Sequence, residues 1–229
     1  MDYEDYSNWK GWLNKVPFGS LSIDSRNKYK LQLDKLHVDY KNINALEIGF
    51  GNGGFIKFLL ENGSNVEGIE IQESLLEEAS NLGIPAHNSL ASLTNGPYDL
   101  IVGFDVLEHL TLEQLQQYFL VFKSVLKPDG KMIFRFPNGD SFVGLSAQNG
   151  DFTHVTAIGL SKLEQLIRPL GFKIAIYEGA LVYPRSKLKH LHFLRKFLRY
   201  LTMQALGFGS PYFFSGDIVT VLTLDHNKG

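Results

Sequence analysis

The chain of 229 residues has no cysteine, which excludes disulfide bonds, thiolate metal sites and a cysteine nucleophile. It also lacks an apolar run long enough to span a membrane, and its polar, acidic beginning does not have the pattern of a secretion signal. The formal net charge of −2 provides no general attraction to nucleic acid, so we expect no nucleic-acid partner. These absences favour a cytoplasmic enzyme, although the redox compartment stays open.

The residues that are present suit one large hydrophobic core, since 44% of the chain is hydrophobic. Strand-like and helix-like segments alternate, which predicts an α/β fold with a parallel sheet and helices on both faces. We expect an N-terminal helical cap or lid over residues 1–42 and a main domain over residues 43–229. A basic helical insertion is expected at about residues 184–210, before the last strand.

A glycine-rich turn follows the first predicted strand, Asn44 to Ile48, and leads into a helix that Gly63 ends. A second strand, Asn65 to Ile71, carries Glu70 about 20 residues beyond the turn, where a carboxylate can accept hydrogen bonds from ribose hydroxyls. This arrangement predicts a nucleotide-type cofactor. The glycines fit two patterns, GxGxxG through Gly49, Gly51 and Gly54, and ExGxGxG through Glu47, Gly49, Gly51 and Gly53.

The second pattern resembles motif I of the class I S-adenosylmethionine-dependent methyltransferases, and later segments agree with that family in order and spacing. Asn88-Ser89-Leu90 falls at its third-strand turn, Tyr98 to Leu110 resembles its fourth strand with the VLEHL sequence, and Leu126 to Asn138 resembles its fifth strand and exit loop. The resemblance covers residues 43 to 225. It implies a Rossmann-like, doubly wound, mostly parallel seven-stranded sheet with an antiparallel last strand. It also implies S-adenosylmethionine as cofactor and S-adenosylhomocysteine as product.

The same resemblance implies a set of cofactor-binding residues. Glu47 is expected to orient the glycine turn and to meet the methionine ammonium group, Glu70 to hold the ribose and Ile71 to pack on adenine. Ser89 departs from the acid that many relatives have at the third-strand turn, so backbone groups are expected to recognise adenine. The full set is Glu47, Gly49, Gly51, Gly53, Glu70, Ile71, Ser89, Leu90, Phe104 and Asp105, the last two bordering the methionine end.

Two histidines near the ends of strands four and five are candidate catalytic bases, because a hydroxyl must lose its proton to accept a methyl group. His154 is the first candidate and His109 the second. On a helix, Asp105, Glu108 and His109 would share a face. With the distant His154 they resemble the cation ligands of ubiquinone-pathway catechol methyltransferases and small-RNA 3′-end methyltransferases, so a divalent cation is an alternative. In metal-free relatives the same Glu-His pair orders the turn or contacts substrate.

The loop from Pro137 to Thr156 is too long for a simple connection and is predicted to form the acceptor pocket. Its PNGDS and GDFTHVT stretches resemble methyltransferases encoded with bacterial surface-polysaccharide pathways. That resemblance implies O-methylation of a sugar hydroxyl, on a small-molecule or glycan acceptor, in polysaccharide or glycoconjugate biosynthesis. A phenol or quinone precursor is the alternative acceptor.

Two other functions stay open at this point. The GxGxxG pattern also occurs in nicotinamide-dependent oxidoreductases, and Tyr183 with Lys187 matches the Tyr-x-x-x-Lys of short-chain dehydrogenases, although Pro184 disfavours the helix that this pair requires. A catalytically silent scaffold that binds the nucleotide is the other alternative.

The insertion from Arg185 to Leu206 contains six basic residues and no acidic residue. An amphipathic basic helix of this kind packs on the core, joins two copies in a homodimer, docks a phosphorylated substrate or lies on an anionic membrane surface. The last option would place the protein at the inner face of the membrane. The apolar stripe consists of Leu191, Leu194, Leu198, Leu201 and Ala205.

Overall fold

The computed structural model describes residues 16–180, 192–207, 212 and 214–226. Tyr183, Lys187 and the first part of the Arg185–Leu206 insertion lie outside the described residues. The described helices are α1 (Ile23–Lys35), α2 (Gly54–Glu61), α3 (Glu73–Asn81), α4 (Leu112–Val125), α5 (Phe142–Asn149), α6 (Leu160–Ile167) and α7 (His192–Leu206). The strands are β1 (Asn44–Ile48), β2 (Asn65–Ile69), β3 (Ala86–His87), β4 (Tyr98–Phe104), β5 (Leu126–Pro137), β6 (Phe172–Gly179) and β7 (Asp217–Leu224).

The seven strands form one sheet in the order β3-β2-β1-β4-β5-β7-β6. Strands β1 to β5 pair in parallel, whereas β7 runs antiparallel to both of its neighbours, β5 and β6. The chain order reverses between β1 and β4, and ligands of open α/β sheets bind at the carboxyl ends of the strands beside such a reversal. The predicted fold class is confirmed.

Successive side chains of a strand point to opposite faces of the sheet, and this divides the core into two clusters. In β5, Met132 and Phe134 join the cluster that contains residues of α4 and α6, while Ile133 between them joins the cluster that contains residues of α1, α2 and α3. Both faces are therefore covered by helices. The sheet edge at the carboxyl ends of β1 and β4 is left for the loops that carry polar residues.

The described part of the predicted N-terminal cap contains helix α1. Its Leu33, together with Leu36 just beyond it, is 1% exposed, so this segment packs on the core. Closure of residues 1–42 as a lid stays a prediction.

Helix α6 has no N-cap bond from its own N-cap residue. The Ser161-Lys162-Leu163-Glu164 stretch has the sequence pattern of a capping box but does not form one, because the N-cap is Gly159, two residues before Ser161. Asp140 takes that role from another segment, since its Oδ2 accepts the N–H of Leu160 at 2.7 Å. A distant acceptor satisfies the helix end in place of the local serine.

Helix α7 has exposed apolar residues. Leu194, Leu198 and Leu201 of the predicted stripe are 46–51% exposed, so they do not reach the core. Within the described ranges, no helix is both long and apolar enough to cross a membrane.

Candidate active site

Three glycines shape the turn between β1 and α2, each with a positive φ of 51° to 72°. A Cβ on Gly49 would lie 2.5 Å from Val106, and one on Gly53 would lie 2.5 Å from the Phe18 ring. A Cβ on Gly51, in contrast, would have no atom of the described residues within 4 Å. Two of the glycines are therefore required by their neighbours, while Gly51 leaves an open face that a ligand can approach.

Glu70 follows β2 directly, since the strand ends at Ile69 and not at Ile71 as predicted. Its carboxylate accepts the N–H of Gly51 at 3.0 Å, of Ile71 at 2.8 Å and of Gln72 at 3.2 Å. These bonds tie the glycine turn to the start of α3. Carboxylate oxygens accept more than one hydrogen bond each, so Glu70 keeps capacity for a ligand hydroxyl.

Glu47 lies at the end of β1 and is 4% exposed. Its Oε2 has no hydrogen-bond partner among the described residues. Burial raises the pKa of the Glu47 carboxyl well above its usual range, and Glu70 adds to this, against the opposing bond from the N–H of Ile56. A cationic group beside Oε2 would satisfy this acceptor and favour its charged form.

A cavity of about 660 Å³ joins these residues to the ends of β4 and β5. Ile71 belongs to its wall and is 51% exposed. Gly53, Ser89 and Leu90 lie outside its described lining. Ser89 instead caps a short 3-10 turn, where its hydroxyl accepts the N–H of Ala91. The predicted cofactor residues in the lining are Glu47, Gly49, Gly51, Glu70, Ile71, Phe104 and Asp105.

Asp105 adopts a left-handed conformation with φ of 59°, which is uncommon for a residue other than glycine. Its carboxylate accepts two bonds from Arg135, of which the one from Nε is 2.9 Å long. The Arg135 guanidinium also lies 5.0 Å from the centre of the Phe104 ring. The Asp105 side chain is therefore bonded to a residue of the neighbouring strand β5.

The predicted helical face of Asp105, Glu108 and His109 does not form. Leu107–His109 is a 3-10 helix, and Asp105 lies before it at the end of β4. The structure instead groups Glu108, His109 and His154, whose candidate ligand atoms lie within 4.8 Å of one another. The reason is the left-handed backbone at Asp105, which turns the chain before a helical spacing can begin.

The His154 and His109 rings meet edge to face with their centres 4.6 Å apart. The His154 Nε2 lies 3.8 Å from Asp151 Oδ2 and 4.0 Å from Glu108 Oε1. The His109 Nδ1 lies 3.2 Å from the carbonyl oxygen of Thr153. Both predicted catalytic histidines thus line the same cavity as the glycine turn.

Backbone bonds fix the loop that carries His154. The N–H groups of Val155 and Thr156 both donate to the carbonyl oxygen of Glu108, at 2.9 and 3.0 Å. The Thr156 hydroxyl donates to the carbonyl oxygen of Leu110 at 2.7 Å. Thr156 and Leu110 are 46 positions apart in the sequence, so this bond holds the loop that carries His154 against the turn after β4.

The Glu108 side chain is 1% exposed, and neither carboxyl oxygen has a hydrogen-bond partner in the described part of the chain. Burial, followed by the nearby Asp105 charge, raises the pKa of the Glu108 carboxyl to about 8. This carboxyl is therefore mainly protonated at neutral pH in the ligand-free protein. A buried polar group without a partner is costly, and Glu108 lines the cavity, where a bound group could satisfy its oxygens.

Comparison with known proteins identifies the family. A family model described as a methyltransferase domain matches residues 25–176, more than half of the chain. The chain belongs to the S-adenosylmethionine-dependent methyltransferases. Its cofactor is therefore S-adenosylmethionine, with S-adenosylhomocysteine as the product, which decides between the two cofactor classes that the glycine pattern allowed.

Solved methyltransferases share the fold at low identity. A S-adenosylmethionine-dependent methyltransferase from Archaeoglobus fulgidus has a TM-score of 0.65 at 20% identity, with 97% of this chain and 99% of that chain covered. The 1,6-didemethyltoxoflavin-N1-methyltransferase of Burkholderia thailandensis, which has S-adenosylhomocysteine bound, has a TM-score of 0.60 at 14% identity, with 97% and 85% covered. Likeness at such identities shows the fold alone.

Two curated relatives of the methyltransferase match over part of their length. An uncharacterized methyltransferase of Bacillus pumilus is 29% identical over 126 residues, which cover 53% of this chain and 58% of that protein. A ubiquinone biosynthesis O-methyltransferase of Rickettsia felis is 28% identical over 137 residues, which cover 55% and 54%. The chain thus spans about half the length of the curated relatives it matches.

The methyltransferase cavity fits the cofactor on its own chemistry. Gly51 presents open backbone, Glu70 presents an acceptor and Glu47 presents an unsatisfied buried carboxyl oxygen suited to an ammonium group. The sequence reasoning missed Arg135 and Tyr29, which both line the cavity. The signal for Arg135 was a cationic residue inside the apolar run of β5, whereas nothing in the spacing pointed to Tyr29.

Proposed function

We propose that this methyltransferase domain transfers the methyl group of S-adenosylmethionine to an oxygen nucleophile, with a sugar hydroxyl as the acceptor group. The observation that carries the proposal is the placement of Glu108, His109 and His154 on the same cavity as Gly51 and Glu70. Two imidazoles that can accept a proton thus lie on the same cavity as the groups suited to the cofactor. A base is needed for oxygen nucleophiles because an alcohol is a poor nucleophile until its proton is removed.

The chain's own residues position the reactants. When bound, the cofactor supplies an electrophilic methyl group on a sulfonium. Glu70 accepts hydrogen bonds from the ribose, the Gly51 backbone allows close approach, and Glu47 receives the ammonium group. Positioning of this kind removes most of the barrier in a transfer that has an already activated donor.

His154 is the proposed base. Its Nε2 accepts the proton of the acceptor hydroxyl, and Asp151, 3.8 Å from that nitrogen, offsets the positive charge that forms on the ring. His109 borders the reaction centre and holds the Thr153 carbonyl, which keeps the loop in place. Glu108 stores a proton nearby, since its pKa of about 8 allows it to exchange one near neutral pH.

A divalent cation at Glu108, His109 and His154 is a second way to activate the acceptor. The group offers two imidazoles and one carboxylate within 4.8 Å, a ligand set that suits several divalent metals. Asp105, the fourth predicted ligand, lies outside the group because Arg135 holds it. Activity after chelation and re-addition of Mg²⁺, Mn²⁺ or Zn²⁺ tests this option, and unchanged activity in chelator would remove it.

Two acceptor classes have separate support. The sugar hydroxyl is favoured by the polar loop stretch between Pro137 and Thr156. A phenol is favoured by the similarity to ubiquinone biosynthesis O-methyltransferases and by the cavity wall of Val106, Leu110 and Tyr118, which suits a planar ring.

The deciding experiment incubates the protein and S-adenosylmethionine with nucleotide sugars, oligosaccharides and catechols, and detects the mass of one added methylene unit by mass spectrometry. The His154→Ala variant is the matched control, because it keeps the cofactor residues. Methylation of sugars by the wild type supports the first class, and methylation of catechols alone supports the second. Cofactor binding without turnover on any acceptor would favour a non-catalytic scaffold.

Helix α7 provides a proposed contact with an anionic membrane surface. Leu194, Leu198 and Leu201 are exposed, and the helix sequence contains three basic residues and no acidic residue. Sedimentation with anionic vesicles at low salt tests the proposal. Light scattering in the same buffer separates it from homodimer formation through the same stripe.

A further inference from the structure

One buried carboxylate on β2, Glu67, collects donors from several separate parts of the chain. Its side chain is fully buried, and its Oε1 lies 2.7 Å from the His87 Nε2 and accepts from both the N–H and the hydroxyl of Thr94, at 3.0 and 3.1 Å. Its Oε2 accepts the N–H of Asn95 at 2.9 Å and the hydroxyl of Tyr98. Every bond joins β2 to the stretch from His87, the last residue of β3, to Tyr98, the first residue of β4.

These contacts satisfy a group that would otherwise be costly to bury. Burial raises the pKa of the Glu67 carboxyl, but the bonds from Tyr98, Asn95, Thr94 and His87 outweigh it and hold the pKa below its usual range. The carboxylate is therefore charged and accepts charge-assisted bonds, which are stronger than neutral ones.

The contacts pin both ends of one short segment. His87 ends β3 and Thr94 begins the turn before β4, so residues 88–93 are tied to one carboxylate at each end. That segment contains Ser89 and the short 3-10 turn Leu90–Ser92.

The same segment is joined to the cavity through the sheet. His87 pairs with Ile69, and the carbonyl oxygen of His87 accepts the N–H of Glu70 at 3.0 Å. Glu70 and Ile71 line the cavity directly. Residues 88–93 therefore start beside the two residues at the ribose and adenine end of the proposed cofactor site.

We infer that Glu67 is a positioning residue for cofactor binding, which holds His87, and with it the N–H of Glu70 at the adenosine end of the cavity, without touching the ligand. The inference rests on the proposed placement of adenosine beside Glu70 and Ile71. Freed from Glu67, His87 would lose its fixed distance from Glu70. Part of the binding free energy would then be spent on ordering these residues.

The test measures the dissociation constant of S-adenosylhomocysteine by calorimetry for the wild type, Glu67→Gln and Thr94→Val. Glu67→Gln is expected to weaken binding about tenfold, equal to about 1.4 kcal/mol. Thr94→Val removes one hydroxyl donor and is expected to weaken binding about threefold. The acceptor KM and the kcat at saturating cofactor are expected to stay unchanged.

Thr220→Val is the matched control, because the fully buried Thr220 hydroxyl donates to the Ile176 carbonyl oxygen at the opposite end of the sheet. It should lower the melting temperature and leave the dissociation constant unchanged. If Glu67 had a purely structural role, Thr94→Val would behave like Thr220→Val, with a lower melting temperature and an unchanged dissociation constant. That result would overturn the inference, even if Glu67→Gln does not fold. Absence of binding by the wild type would instead refute the proposed function.

Discussion

Replacement of Glu108 by Gln is expected to stabilise the metal-free methyltransferase at neutral pH. Burial, with a further contribution from Asp105, raises the pKa of the Glu108 carboxyl from its usual 4.5 to about 8. The folded state therefore holds this proton more tightly than the unfolded state. The contribution of Glu108 to the stability of the wild type falls as the pH rises above 4.5, and its loss is complete once the pH exceeds about 8.

The size of the effect follows from the pKa shift. Each pH unit between the unfolded and folded pKa costs about 1.4 kcal/mol. From 4.5 to pH 7 the cost is about 3 kcal/mol, and it levels off at about 5 kcal/mol above pH 8. Gln has nearly the same shape and no proton to release, so the variant escapes this loss. The buried Gln amide changes the free energy of unfolding by an amount that does not depend on pH.

Urea unfolding followed by circular dichroism, in chelator at pH 5, 6, 7 and 8, measures the difference. The free energy of unfolding of Glu108→Gln minus that of the wild type should grow with each step in pH. Glu77→Gln, at an exposed position on α3, controls for the general effect of removing a carboxylate. A difference that stays constant or shrinks with rising pH would refute the reasoning.

Other single substitutions probe the remaining parts of the site. Glu70→Ala is expected to weaken S-adenosylhomocysteine binding by about 1–3 kcal/mol, measured by calorimetry, because it removes a charged acceptor; unchanged affinity would contradict its role. Gly51→Ala should lose cofactor affinity, because the added Cβ points into the cavity, and should lower the melting temperature only by the strain of a positive φ, without the clash expected at Gly49; tight binding by this variant would place the ligand elsewhere. Gly49→Ala should lower the melting temperature, since its Cβ would lie 2.5 Å from Val106; a stable variant would show that Val106 can move. His154→Ala should reduce kcat about 10²- to 10⁴-fold in steady-state assays with little change in cofactor affinity; near-normal kcat would exclude it as the base.

Much of the sheet could be predicted from the sequence because its signals are local. The apolar run before the glycines and the position of Glu70 define β1, the turn and β2 within a few residues. The predicted end of β2 was two residues too late. The cause is that the Glu70 carboxylate accepts the N–H groups of Ile71 and Gln72, so the strand ends at Ile69.

The arrangement of the polar groups could not be predicted in the same way. A helical spacing placed Asp105 with Glu108, but the left-handed backbone at Asp105 turns its side chain toward Arg135, 30 residues away. The five contacts of Glu67 likewise join residues 20 to 31 positions apart. Such pairings depend on strand register, which no local pattern in one sequence specifies.

The bonds that fix the His154 loop have a consequence for how the enzyme can change. Val155 and Thr156 are bonded to the turn after β4, so the proposed base His154 is anchored to that turn, whereas α5 borders the cavity separately through Ala147. Substitutions on α5 can thus alter the shape presented to the acceptor while leaving the reacting groups in register. With the proposed roles, acceptor choice and proton transfer would be separable traits, and new specificities could arise in one helix without rebuilding the chemistry.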